Sequence, residues 1–352
     1  MAILGVDSSV AAPPVDDQKQ AQPANVPPTP APSPAYPAAS TSAGIGGAPT
    51  LFDRGPTPKT GPWQATPHIL TGTHWAGPAD FPALKKAGYD FAVVTVDPNN
   101  KAQLDSMLNA AHQNGLKLIV GAQPYPYVHS GNGLEITPAG QQFLKNLSAR
   151  QDDVMGVFVF NEPFWTDPLT NRNSSKGVYS AQQLGDLNDK IRAIYPGAKI
   201  YQDIGAPSAW APGGALGTGA KYPIDQLKRV ADYWGLFGNG AEPFMAGGAY
   251  NKQSALNEIA GQVKFVREKL GGEAIVAAQS YRAPKAGITG YPSDAQIQDF
   301  NCALRQQIPD LAGISWYVFR QAPLYQDFLA NHPQQIPLTG PNACPADPAV
   351  KH

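Results

Sequence analysis

A (β/α)8 barrel is the fold class this sequence predicts, and three observations predict it. First, short apolar runs alternate with helical stretches in eight successive units after Gly61-Pro62, and such an alternation argues for a parallel sheet with helices packed outside it. Second, Val157 to Phe160 is a continuous apolar run that stops abruptly at Asn161-Glu162-Pro163. A parallel strand buried on both faces reads in this unbroken way. Third, no Gly-x-Gly-x-x-Gly follows the first strand, which weakens a dinucleotide-binding open sheet.

The elements follow in order. His68 to Thr73 reads as strand one, leading into His74 and Trp75, with a short helix from Pro78 to Ala87. Phe91 to Val96 is strand two, ending at Asp97. Lys101 to Asn114 places Ala102, Leu104, Met107, Leu108 and Ala111 mostly on one side of a helix, and Gly115 stops it. Leu116 to Ala122 is strand three, ending at Gln123-Pro124-Tyr125, and Thr137 to Arg150 is helical. Strand four, Val157 to Phe160, precedes a helix from Ser180 to Ile194 with Ser180 as its cap. Ala198 to Gln202 is strand five, ending at Asp203, and Ile224 to Val230 is a short helix. Tyr233 to Phe237 is strand six, and Ser254 to Leu270 a long amphipathic helix. Ala274 to Ala278 is strand seven, ending at Gln279, followed by a helix from Ser293 to Gln307. Gly313 to Val318 is strand eight and carries Trp316.

Residues 1–60 are a different material, rich in Pro, Ala, Ser and Thr, as in Pro27-Pro28-Thr29-Pro30-Ala31-Pro32-Ser33-Pro34. Too little apolar surface is present there to offset the entropy of ordering. The segment is expected to be a disordered tether, or a tail without a role, ahead of one barrel domain over residues 61–352. A tether of this kind fits a secreted or cell-envelope location, although no basic-then-apolar signal peptide is visible at Met1. The 352 residues carry a net charge of −1, so no strong field draws nucleic acid or an anionic membrane. No run approaches the roughly 18 apolar residues of a membrane span. Cys302 and Cys344 either staple a late helix to the C-terminal segment or stand as two thiols; neither arrangement makes a zinc site.

In a barrel the carboxyl ends of the strands converge on one mouth. That rule gathers His74, Trp75, Asp97, Gln123, Tyr125, Asn161, Glu162, Asp203, Gln279, Tyr281, Trp316 and Tyr317. The set is polar and aromatic, as sugar sites are: rings cover the apolar C–H face of a sugar while amides and carboxylates bind its hydroxyls. Trp165, Trp210 and Tyr250 on the loops could extend a groove. Glu162 is the strongest candidate, since glycosidic cleavage needs an acid to protonate the leaving oxygen. His74 and His129 do not have metal-ligand spacing, and no cofactor is expected. The absence of a suitably placed strand-end Lys, or of a His-rich cluster, counts against an aldolase or a metal-dependent hydrolase.

Asn161-Glu162 after the fourth strand resembles the acid/base signature of the clan A glycoside hydrolases, and the likeness runs from about Thr66 to the end of the chain. The resemblance implies a monomeric TIM barrel that hydrolyses O-glycosidic bonds of a polysaccharide or glycan. It implies Glu162 as general acid/base and Asn161 on the hydroxyl beside the reacting carbon. His74, Trp75, Asp97, Gln123, Tyr125, Trp165, Tyr281, Trp316 and Tyr317 would contact substrate. The family draws its second carboxylate from the end of strand seven, where this chain has Gln279. Three readings stand open: an inactivating Glu→Gln change, a second carboxylate from elsewhere (Asp203, Glu242 or Asp97, with Asp203 ranked first), or a barrel that binds glycan without cutting it.

Overall fold

The computed structural model describes residues 69–131, 133–164, 166–167, 169, 172–173, 178–214, 221–237, 251–280, 292–317, 319 and 329–331. Eight parallel strands close into a barrel: β1 (Leu70–His74), β2 (Phe91–Val96), β3 (Lys117–Ala122), β4 (Val154–Asn161), β5 (Ile200–Asp203), β6 (Tyr233–Leu236), β7 (Glu273–Gln279) and β8 (Gly313–Tyr317). Each pairs with its neighbours in sequence, and β1 closes the ring on β8 with Leu70 opposite Gly313 and Thr73 opposite Trp316. The TIM-barrel expectation therefore holds. The tether expectation falls on residues outside those described.

Helices α1 (Phe81–Lys86), α2 (Lys101–Gln113), α3 (Pro138–Ser148), α4 (Ala181–Ile194), α5 (Ile224–Leu227), α6 (Lys252–Phe265) and α7 (Asp294–Gln307) follow the first seven strands in turn. Their starts are set locally. Ser180 and Ser293 each accept from the backbone three residues on, while Gln183 and Gln296 reach back to the cap nitrogen, so orphan donors are satisfied reciprocally. Asn100 and Thr137 cap α2 and α3. Helix α6 ends in a wider turn, Val266–Leu270, stopped by Gly271 at φ 72°. No described helix is long and apolar enough to cross a membrane.

Alternation along the strands splits the core into two layers. Leu70, Phe91, Val93, Ile119, Met155, Tyr201, Tyr233 and Ile275 fill the barrel interior. Ala92, Val94, Leu118, Val120, Ile200, Trp234, Val276, Ile314 and Trp316 face outward, in the layer shared with the helices. Gly72 shows how tight the interior is: a Cβ there would lie 2.3 Å from the Phe91 ring. At the amino ends of the strands, Asp232 accepts from Ile200 N at 2.7 Å and from Arg192 at 2.9 Å, as expected of a residue on the stability face.

Two connections carry structure that periodicity did not announce. Between β3 and α3 a hairpin pairs Tyr127–Ser130 with Gly133–Ile136. After β4 a short antiparallel pair joins Thr166–Asp167 to Arg172–Asn173. Cys302 on α7 is disulfide-bonded; the chain's other cysteine, Cys344, lies outside the described residues.

Candidate functional site

The mouth is built around the junction of β4 and β5. The register of β4 shifts between Phe158 and Asn161, where Asn161 comes opposite Asp203. Such a bulge re-aims the end of a strand. Glu162 follows at once in the left-handed region, φ 49°, which a residue with a Cβ rarely adopts. Its amide donates to the Asp203 carbonyl at 2.9 Å. Two adjacent strand ends thus deliver two carboxyl groups to one place.

Asp203 is 5% exposed and faces inward. Tyr201, two residues earlier on the same face of β5, donates its hydroxyl to Asp203 Oδ1 at 2.5 Å. The space for this pair comes from β6: a Cβ on Gly235 would stand 2.0 Å from Oδ1 and 2.7 Å from the Tyr201 oxygen. Burial pushes the Asp203 carboxyl up to about 7; the Tyr201 bond opposes this, and the charge of Glu162 adds to it. A lone buried carboxylate without its water is costly, so the group keeps its proton to higher pH. Tyr201 is held well above its ordinary value by burial and by Asp203.

On the neighbouring side Tyr125 is half-buried and packs on Phe160 with ring centres 5.3 Å apart. Burial raises its phenol, a hydrogen bond with the Asn161 backbone lowers it, and the Asp203 charge raises it. Tyr125 therefore belongs to the same cluster as Asn161 and Asp203. Gln123 is exposed at the end of β3, its amide on the Val96 carbonyl at 2.9 Å and its peptide bond to Pro124 cis.

Across the barrel, His74 ends β1 at 1% exposure with Nδ1 2.9 Å from Ser315 Oγ on β8. Burial pushes its imidazole down to about 3, so the ring is neutral at ordinary pH. Among the described residues no hydrogen-bond partner meets Nε2. Tyr317 packs edge-on to His74 at 4.9 Å and against Trp75 at 5.2 Å, and Trp75 itself sits at φ 63°. Gln279, the last residue of β7, is 1% exposed opposite Tyr317, on the inward face two residues beyond Ala277.

Three expected residues do not join the mouth. Trp316 is corrected from a sugar contact to a core residue. Its neighbours Ser315 and Tyr317 take the inward face, so alternation turns Trp316 outward, where it is 0% exposed in the helix-facing layer. Trp210 is likewise no groove wall: it is buried, 4.8 Å from Phe164 and stacked on Tyr222 at 6.3 Å. Asp97 is exposed, and its carboxylate shapes the turn into α2 by accepting from Asn99 N at 2.8 Å. Trp165, Tyr281, Tyr250 and Glu242 lie outside the described residues.

Tyr201, Gly235 and Ser315 were missed by the strand-end rule. Tyr201 and Ser315 had a signal, since Tyr201-x-Asp203 and Ser315-x-Tyr317 each share a strand face at period two. Gly235 had none, because its role is to leave space for residues of another strand. Among the described residues no group of three or more His, Cys, Asp or Glu could hold a metal.

No family model matches the chain, and no curated protein matches it. Solved structures with a similar path of the chain include a β-1,4-D-mannanase from Cryptopygus antarcticus, 10% identical over 77% of this chain and 90% of that one, TM-score 0.47. A β-1,4-mannanase from the sea hare Aplysia kurodai is 12% identical over 77% and 91%, TM-score 0.46. An endo-β-1,4-glucanase from Xanthomonas axonopodis pv. citri is 10% identical over 77% and 100%, TM-score 0.45.

Proposed function

We propose that this barrel hydrolyses O-glycosidic bonds of a polysaccharide or glycan, with Glu162 as general acid/base and Asp203 as its partner carboxyl. The observation that carries the reading is the convergence of these two groups: the Glu162 amide rests on the Asp203 carbonyl at 2.9 Å, and the charge of Glu162 acts on Asp203. Glu162, the less buried of the two, gives its proton to the leaving oxygen. Asp203, whose ionisation lies near neutrality, shares one proton with Glu162 across the coupled pair, and in the form with that proton on Glu162 the ionised Asp203 takes a proton from the attacking water. Asn161, Tyr125, His74, Tyr317 and Gln279 are the polar and aromatic surround for the sugar. His74 offers a neutral ring nitrogen, and Tyr317 and Trp75 offer ring surface. On this reading the Pro/Ala-rich segment tethers a secreted or envelope-bound monomer.

A second reading is favoured by one residue. Gln279 puts a neutral amide at the end of β7, where the resemblance implies a carboxylate, and an amide is a very poor nucleophile. The chain would then bind glycan without cutting it. Reducing-end release from a panel of polysaccharides separates the two, using the chain itself, Glu162→Ala and Gln279→Glu. Activity in the chain itself, lost by about 10²-fold or more in Glu162→Ala, supports the hydrolase with its second carboxyl off β7. Activity only in Gln279→Glu marks a silenced nucleophile position. Silence in all three, with glycan still bound, supports the binding protein.

A further inference from the structure

We propose that the cavity between the β3–α3 hairpin and Leu169 is a subsite for a neutral sugar ring, so that the ligand is an uncharged glycan reaching beyond the two rings at the reacting bond. The inference rests on the sugar reading of the mouth and adds the charge and minimum reach of what the mouth accepts.

Continuity is the first argument. The cavity, of about 390 Å³, is lined by Tyr125 and Gln123 as well as Tyr127, Val128, His129 and Leu169. Its volume falls in the range of about 300–1,000 Å³ typical of small-molecule sites. Tyr125 bonds the Asn161 backbone and feels the Asp203 charge, so one side chain belongs to both the mouth and the cavity. A ligand in the cavity therefore lies next to the Glu162–Asp203 pair.

The second argument is the wall. Tyr127 is 3% exposed and packs edge-on to Phe160 at 5.2 Å, while Phe160 also touches Tyr125 and stacks on Tyr179 at 5.4 Å and 20°. His129 packs against Tyr179 at 5.7 Å. The aromatic side is thus held in place before any ligand arrives, which limits the ordering cost of binding. At its rim, Val128 is the large apolar side chain left exposed among the described residues, at 46%. Apolar faces beside an amide, an imidazole and phenols suit a ring with C–H faces and a hydroxyl edge.

Charge is the third argument. Among the described residues that line it, none is Lys, Arg, Asp or Glu. Lys190 lies along the same hairpin, but its ammonium is held by the Leu134 carbonyl at 2.8 Å and Glu135 at 2.6 Å. Among the described lining residues no Lys or Arg meets a uronate or sulfate, and the carboxyl pair next door disfavours one.

The test is equilibrium binding of the full chain to ladders of neutral gluco-, manno-, xylo- and galacto-oligosaccharides from two to six rings, with galacturonate oligomers alongside. Val128→Trp is measured in parallel, because an exposed hairpin position tolerates the larger ring while filling the cavity. The expected result is a rise of roughly tenfold or more in affinity with length on one neutral ladder, flattened in Val128→Trp whose thermal midpoint is unchanged. A Gln123→Ala variant, with no added bulk, loses part of the same rise. Equal affinity at all lengths, no neutral ladder bound, preference for the galacturonate series, or a rise that survives Val128→Trp overturns the proposal. Length-dependent binding without reducing-end release would keep the subsite and remove the hydrolase; release without length dependence would do the reverse.

Discussion

Asp203 titrates near neutrality because it is buried beside Glu162, and that has a consequence for stability as well as chemistry. An aspartate in the unfolded chain ionises near pH ~4. Between that pH and about 7 the unfolded chain has released the proton while the folded chain keeps it. Folded stability therefore falls as pH rises through this window, by at most about 4 kcal/mol. Asp203→Asn removes the titration and keeps an oxygen for the Tyr201 hydroxyl. Its thermal midpoint should match the parent near pH 4 and exceed it most at pH 8. An advantage that is the same at every pH would mean that Asp203 does not titrate near neutrality. His74 carries the opposite sign. Its imidazole is pushed down to about 3, so stability present above pH ~6.5 is lost as pH falls toward 3. His74→Gln should show a shallower loss of thermal midpoint over that interval, measured against the parent in the same buffers.

At the scale of elements, the site depends on what neighbouring strands leave out. β6 contributes Gly235, whose missing Cβ makes room for the Tyr201–Asp203 pair. Gly235→Ala forces either the pair or the β5–β6 ladder to move, at a cost on the order of 1–3 kcal/mol for an overpacked interior. A denaturant midpoint unchanged by the substitution would show that the pair tolerates the methyl. The β4 bulge works differently. By shifting register between Phe158 and Asn161 it lets Glu162 leave the sheet at φ 49° while its amide stays bonded to β5. The strand ends the way it does because of that one irregularity.

Over the whole molecule, closure of β1 on β8 is what brings His74 to Ser315, 241 residues away in sequence. The Cys302 disulfide adds a covalent restraint on α7. Reduction should lower the thermal midpoint, with a stability loss of about 2–4 kcal/mol, and the shift between oxidised and reduced scans measures it. By itself the sequence determined the eight strands and the helices after the first seven, the serine start of α4 at Ser180, and the placing of Glu162, Asp203 and Gln279 at strand ends. Those features are local: an apolar run, a cap and the residue after a strand are read within a few positions. Only the tertiary structure decided which strand ends share a cavity and which way each side chain turns. Trp316 stood at a strand end and still faces the helices, because the inward face of β8 belongs to Ser315 and Tyr317. The Tyr201–Asp203–Gly235 fit spans two strands. Its physical cause is excluded volume between distant segments, which no local pattern of residues encodes.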